Sequence, residues 1–137
     1  MLNKTIDEHR AIKLLRECVA ERGESYVYPY QQCRNAFVQG DTYQLTGGLG
    51  DTKFTGPTQP GCMVGLAMFN AGVPVDELSG HAHPMDAFDL ADHLHEKGWG
   101  ISTKAASVFR AAQQQQDVGD TWAGALAAAT QYYEQHS

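Results

Sequence analysis

The residues of this chain best suited to chemistry are one thiol and the imidazoles that follow it. Cys62 stands directly before the apolar run Met63-Val64-Gly65-Leu66-Ala67-Met68-Phe69, where the pattern predicts a helix to begin. The dipole at a helix N-terminus favours a thiolate, and His81 and His83 follow as candidate bases, the pair that a cysteine-dependent hydrolase requires. The competing reading is a packed first turn. Met63, Val64 and Leu66 make that turn apolar, and a buried cysteine is inert. Core packing therefore outweighs catalysis at Cys62.

Metal binding is the second chemistry to weigh, because His81, His83, His93 and His95 with Asp86 and Asp89 fall within 15 residues. The spacing argues against a shared site. On a helix His93 and His95 point to nearly opposite faces, unlike the i, i+4 pair of H-E-x-x-H, and no C-x-x-C is present. No metal and no cofactor are expected. Gly47-Gly48-Leu49-Gly50 lacks both the G-x-x-x-x-G-K-[ST] pattern and a strand-then-helix setting, so it reads as a loop and not as a phosphate cradle. No serine lies in G-x-S-x-G.

Two groups remain that suit binding another protein. Tyr26, Tyr28 and Tyr30 alternate as one face of a strand, close in sequence to Phe37 and Tyr43, and aromatic rings with polar tips serve interfaces and cores equally well. Asp86, Asp89 and Glu96, with Asp92 beside them, form an acidic helix face that can dock a basic partner or simply be solvated. The net charge of −6 is concentrated in the middle of the chain, where residues 35–100 hold eight Asp/Glu against two Lys/Arg. A field of that sign repels phosphate backbones and disfavours nucleic acid.

The elements that must position these residues are mostly helical. Thr5 and Glu8 form a T-x-x-E capping box before Ala11, Ile12, Leu15, Cys18 and Val19, which recur at helical spacing, and Gly23 ends that helix. Residues 26–56 are aromatic and β-branched in short pieces broken by Gly and Pro. Gly40-Asp41 suggests a tight hairpin between 36–38 and 42–45. After the helix that Cys62 opens, Gly72 and Pro74 mark a stop. Pro84 can start a helix with Ala87, Leu90, Ala91 and Leu94 on one face, closed by Gly98. Thr103 is the expected cap of the next helix, Gly119-Asp120 ends it, and Trp122, Ala125, Leu126, Ala129 and Tyr133 stripe the last. The run Gln113 to Gln116 reads as a solvated helix end. The expected architecture is a single domain over 1–137, α+β and mainly α, with five or six helices packed on a small antiparallel hairpin or sheet near 26–56.

The set Pro60-Gly61-Cys62-Met63-Val64-Gly65, Ala71-Gly72-Val73-Pro74, Ala111-Ala112-Gln113, Gln116-Asp117, Gly119, Thr121-Trp122 and Ala125-Leu126 resembles a group of small proteins of actinobacteria and their phages. That group carries no assigned activity. The likeness covers the first helix and the second half of the chain, and the stretch from Gly40 to Gln59 departs from it. A fainter likeness, to papain-like cell-wall peptidases, rests on a cysteine opening a helix. In those enzymes strands carrying the base follow, whereas here helices and turns follow. The expectation is a non-enzymatic phage or bacterial accessory protein that binds a host or self protein through its acidic and aromatic surface. The alternatives are a cysteine hydrolase using Cys62 with His81 or His83, and a self-assembling structural protein. Three widely spaced cysteines, no signal-like N-terminus and no long apolar run point to a cytoplasmic protein with no membrane partner.

Overall fold

Asp7 opens the first helix. In the computed structural model, which describes residues 2–30, 34–79 and 86–136, its carboxylate accepts the Arg10 N–H at 2.8 Å. Helix α1 (Glu8–Arg22) then buries Ala11, Ile12, Leu14, Leu15, Cys18 and Val19, and Gly23 donates its N–H to the Val19 carbonyl as the helix stops. The expected Thr5 capping box is therefore corrected. Thr5 belongs instead to β1 (Thr5–Ile6), paired in parallel with β6 (Gly100–Ile101). That pairing spans 95 positions and is fixed by Gly100 N–H to the Lys4 carbonyl and Ser102 N–H to the Ile6 carbonyl. Strands of two residues carry no alternation, so nothing in the local pattern announces them.

The expected sheet forms, with a different register. β2 (Ala36–Phe37) pairs antiparallel with β5 (Gln59–Pro60), and β3 (Thr42–Gln44) pairs antiparallel with β4 (Asp51–Lys53). Gly40-Asp41 is not the hairpin turn. Gly40 donates to the Phe54 carbonyl and Phe54 to the Asp41 carbonyl, so these residues extend the β3–β4 ladder. The chain reverses at Thr46–Gly48 through a short 3-10 turn, where Gly47, Gly48 and Gly50 take φ of +80°, +71° and +96°. Side-chain-bearing residues rarely adopt that backbone, which is why the glycines cluster at this turn.

Behind the sheet, Phe37 is the centre of an aromatic cluster, with the rings of Tyr30, Phe54, Tyr43 and Tyr28 at 5.0, 5.3, 5.6 and 5.9 Å. Edge-on and stacked contacts at these distances add to the roughly 1.5–3 kcal/mol that burying a large apolar side chain contributes. Two of the tyrosine hydroxyls meet backbone donors. The Tyr43 hydroxyl accepts the Val38 N–H and the Tyr28 hydroxyl accepts the Arg34 N–H.

Helix α2 (Met63–Ala71) buries Met63 to Met68 and Ala71 in the core and exposes Phe69 and Asn70 near its end. Gly61 and Gly65 let it come down onto the backbone of Arg34 and Asn35: a Cβ at Gly65 would sit 1.9 Å from the Asn35 carbonyl oxygen. Helix α3 (Val75–Ser79) follows, then α4 (Ala87–His95), whose cap is Asp86, accepting the Asp89 N–H at 2.9 Å. Pro84, expected to open this helix, lies outside the described residues. Helix α5 (Thr103–Asp117) is capped by the Ser102 hydroxyl through Ala105 N–H, one residue earlier than the expected Thr103. It packs along α6 (Trp122–His136), against α1 and against α4. Six helices with three two-stranded pairings among the described residues make the chain α+β and mainly α.

Candidate functional site

Cys62 sits at the N-cap of α2, as its sequence position suggested, but inside the core. Its side chain has no solvent exposure, and its sulfur donates to the Asn35 side-chain oxygen at 3.4 Å. Its backbone N–H is held by the Arg34 carbonyl at 2.7 Å. Both cysteines in the described residues are free thiols. Cys18 is equally buried, with its sulfur on the Met63 carbonyl; burial first, then the Glu21 carboxylate, pushes its thiol well above the ordinary range. Such a thiol stays protonated and unreactive at neutral pH. His81 and His83, the bases proposed for Cys62, lie outside the described residues.

His93 and His95 diverge on α4 as their spacing requires. His93 is half-buried with its Nε2 at 3.1 Å from the Glu77 carbonyl oxygen of α3, whereas His95 is exposed. Among the described residues no three His, Cys, Asp or Glu side chains come together as a metal set. Gly47-Gly48-Leu49-Gly50 is the reversal of the β3–β4 hairpin and leads into a strand, not into a helix whose N-terminus could hold a phosphate.

The tyrosine face points inward. Tyr28 is 2% exposed and Tyr26 and Tyr30 are partly buried against the core, while Val27 between them is 43% exposed. The alternation of the sequence is real, but it directs the aromatic face at Phe37 and Trp122. Tyr28 is thereby removed as a contact residue, because a ring inside the core has no area left to offer a partner. Tyr26 is engaged with Trp122 at 4.6 Å and with the Arg22 guanidinium above it.

The acidic residues divide into two roles. Asp86 is half-buried and occupied as the α4 cap. Asp89 and Asp92 are exposed on the same helix and Glu96 at its C-cap, and the His93–Glu77 contact brings α3 beside them with Asp76 exposed. Five carboxylates, Asp76, Glu77, Asp89, Asp92 and Glu96, thus lie on two touching helices or at the C-cap of one. Next to them, Phe88 lies under the Arg110 guanidinium at 5.3 Å, on the edge of an open groove of about 320 Å³ between α4, α5 and α6.

Two functional positions in the structural sense were missed by the sequence reading. Gln113 and Gln116, expected in a solvated helix end, are 4% and 2% exposed. The Gln116 side-chain oxygen accepts both the Met63 N–H at 2.9 Å and the Trp122 indole N–H at 3.1 Å. The Gln113 oxygen accepts the Ala87 N–H at 2.9 Å. One face of α5 therefore supplies acceptors to the first turns of α2 and α4, whose N–H groups have no partner within their own helices. The available signal was the spacing of three, which places Gln113 and Gln116 on one face in line with Phe109 and Ala112.

Comparison with known protein families, with curated proteins and with solved structures finds no match to this chain.

Proposed function

We propose that the protein works by binding a basic partner protein through the carboxylates of α3 and α4, with Asp89, Asp92 and Glu96 as the central contacts. The observation that carries this reading is that these side chains stand exposed on one short helix and its C-cap, while the nucleophile candidate Cys62 is sealed in the core. Ion pairs with a partner add steering and selectivity beyond what a solvated face has alone. Phe88 with its covering Arg110 supplies an aromatic edge beside the acids, a role first expected of Tyr26, Tyr28 and Tyr30. In this reading the chain is a non-enzymatic accessory protein of a bacterium or phage, acting in the cytoplasm and on no nucleic acid. The resemblance to small actinobacterial and phage proteins, the acidic middle and the free thiols support that setting. No helix among the described residues is long and apolar enough to cross a membrane.

The test is capture from an actinobacterial lysate at low salt with the wild-type chain and with a D89K/D92K/E96K variant of unchanged circular dichroism. The expected result is one partner retained by the wild type, released by raised salt and absent with the variant. Equal capture by both proteins overturns the assignment to α4. A fixed oligomer by light scattering with no other protein captured supports self-assembly instead.

A further inference from the structure

A second surface lies between α1 and α6 and involves no residue of α3 or α4. The two helices run antiparallel: the His9 ring meets the Tyr133 hydroxyl at one end, and Ala123 donates its N–H to the Glu24 carbonyl at 3.2 Å at the other. Between these ends runs an open groove of about 490 Å³, lined by Val19, Ala123, Leu126, Ala127, Thr130 and Gln131, with Glu24 and Glu134 completing it. Ala127 is exposed, and small side chains at Ala123 and Ala127 leave room for another backbone to come close. Leu126, half-buried, offers the apolar contact, above the buried Val19 at the groove floor.

The charges say what fits. Glu24 adjoins the first turn of α6 and Glu134 is eleven residues beyond Ala123, which at 1.5 Å per residue is about 16 Å, or three turns. Both carboxylates are exposed, and neither takes part in an ion pair among the described residues. A second copy of this chain fits poorly. Laying α6 on α6 brings Glu134 against Glu24 in the antiparallel sense and against Glu134 in the parallel sense, like charges in either case. We infer that the α1–α6 groove receives an amphipathic helix of a partner protein, about three turns long, with small or apolar residues in the middle and a Lys or Arg near each end. Helices lie in grooves through such i, i+3, i+4 and i+7 contacts, with end charges setting the register.

The probe is a fluorescein-labelled helical peptide of 15 residues with Lys at positions 2 and 13 and a Leu/Ala face between them, titrated with the full chain by fluorescence anisotropy. A control peptide carries Glu at both positions. Saturable binding of the Lys peptide, weakened at least about tenfold by E24K/E134K or by Glu in the peptide, and lost in Ala127→Trp, is the expected result. The D89K/D92K/E96K variant should bind it as the wild type does. Absence of binding, equal binding to E24K/E134K, or a dimer by light scattering that Ala127→Trp breaks would overturn the inference. Loss of binding in the α4 variant alone would also overturn it while favouring the α4 surface. Should Ala127→Trp fail to fold by circular dichroism, the surface pair E24K/E134K decides.

Discussion

Helices α4 and α5 pack against each other and use their polar side chains in opposite ways. On α5, Gln113 and Gln116 turn inward, almost wholly buried, each accepting from the N-terminal turn of another helix. On α4, Asp89, Asp92 and Glu96 turn outward into water. The difference follows from what each group loses on burial. A neutral amide oxygen that finds a waiting N–H loses little, whereas a carboxylate costs several kcal/mol to bury unless it is paired. The buried amides of this molecule therefore hold helices together, while Asp89, Asp92 and Glu96 keep their hydration.

The sharpest way to break that contrast is at Gln116. Gln116→Leu leaves the Met63 N–H and the Trp122 indole N–H without an acceptor, at about 1–3 kcal/mol for each buried donor. A loss of about 2–5 kcal/mol by urea unfolding is expected, and a loss under about 1 kcal/mol would show that water replaces the amide. Gln113→Leu strips one donor, Ala87 N–H, and should cost about 1–3 kcal/mol in the same measurement. Cavity effects are small in both, since leucine nearly matches the volume of glutamine.

A third test uses the turn between α5 and α6, where an acid is engaged on the surface side. The Asp120 carboxylate receives Gln115 Nε2 at 2.8 Å and the Thr121 N–H at 2.7 Å, and these bonds hold its pKa below the usual carboxylate range. A folded-state value below the unfolded one stabilises the protein above the ordinary pKa of about 4, and that contribution is lost as pH falls through the lower folded value. Asp117 beside it has its pKa raised by desolvation and so acts in the opposite sense, its folded form favouring the proton. Asp120→Asn should therefore lower the melting temperature at pH 7 and make no difference at the lowest pH where the wild type still folds. An equal loss at both pH values would show that the carboxylate's charge is not what the turn uses.

The smallest effect on stability is expected outside. D89K/D92K/E96K should change the unfolding free energy by no more than about 0.5 kcal/mol for each substitution, because exposed charges contribute little to folding. A large loss would mean that the acidic face supports the fold and would weaken its assignment as a contact surface. Cys62 offers a parallel check on the interior. Iodoacetamide near neutral pH should modify it far more slowly in the native protein than in urea, and comparable rates would reopen the thiol as a nucleophile.

Local pattern was enough for the described helices other than α3, which follows the expected stop at Gly72 and Pro74 unannounced. The apolar spacing of α1, α4, α5 and α6, the apolar run of α2, and the stops at Gly23, Gly72, Gly98 and Gly119 each depend on neighbours within a few residues. The caps slipped, Asp7 for Thr5 and Ser102 for Thr103, because adjacent residues of similar capping power compete and strand β1 claims Thr5. The alternation of Tyr26, Val27 and Tyr28 was likewise visible, but not which face would be covered.

The sequence by itself determined most of the helices, their order and the acidic middle, since these are properties of adjacent residues. Tertiary structure alone decided the partners. The β1–β6 pairing across the chain, the true turn of the hairpin, the sealing of Cys62 and the burial of Gln113 and Gln116 depend on which surfaces arrive from far along the sequence. An amide on a helix face goes inside only if an orphan N–H is brought to meet it, and no local pattern records that meeting.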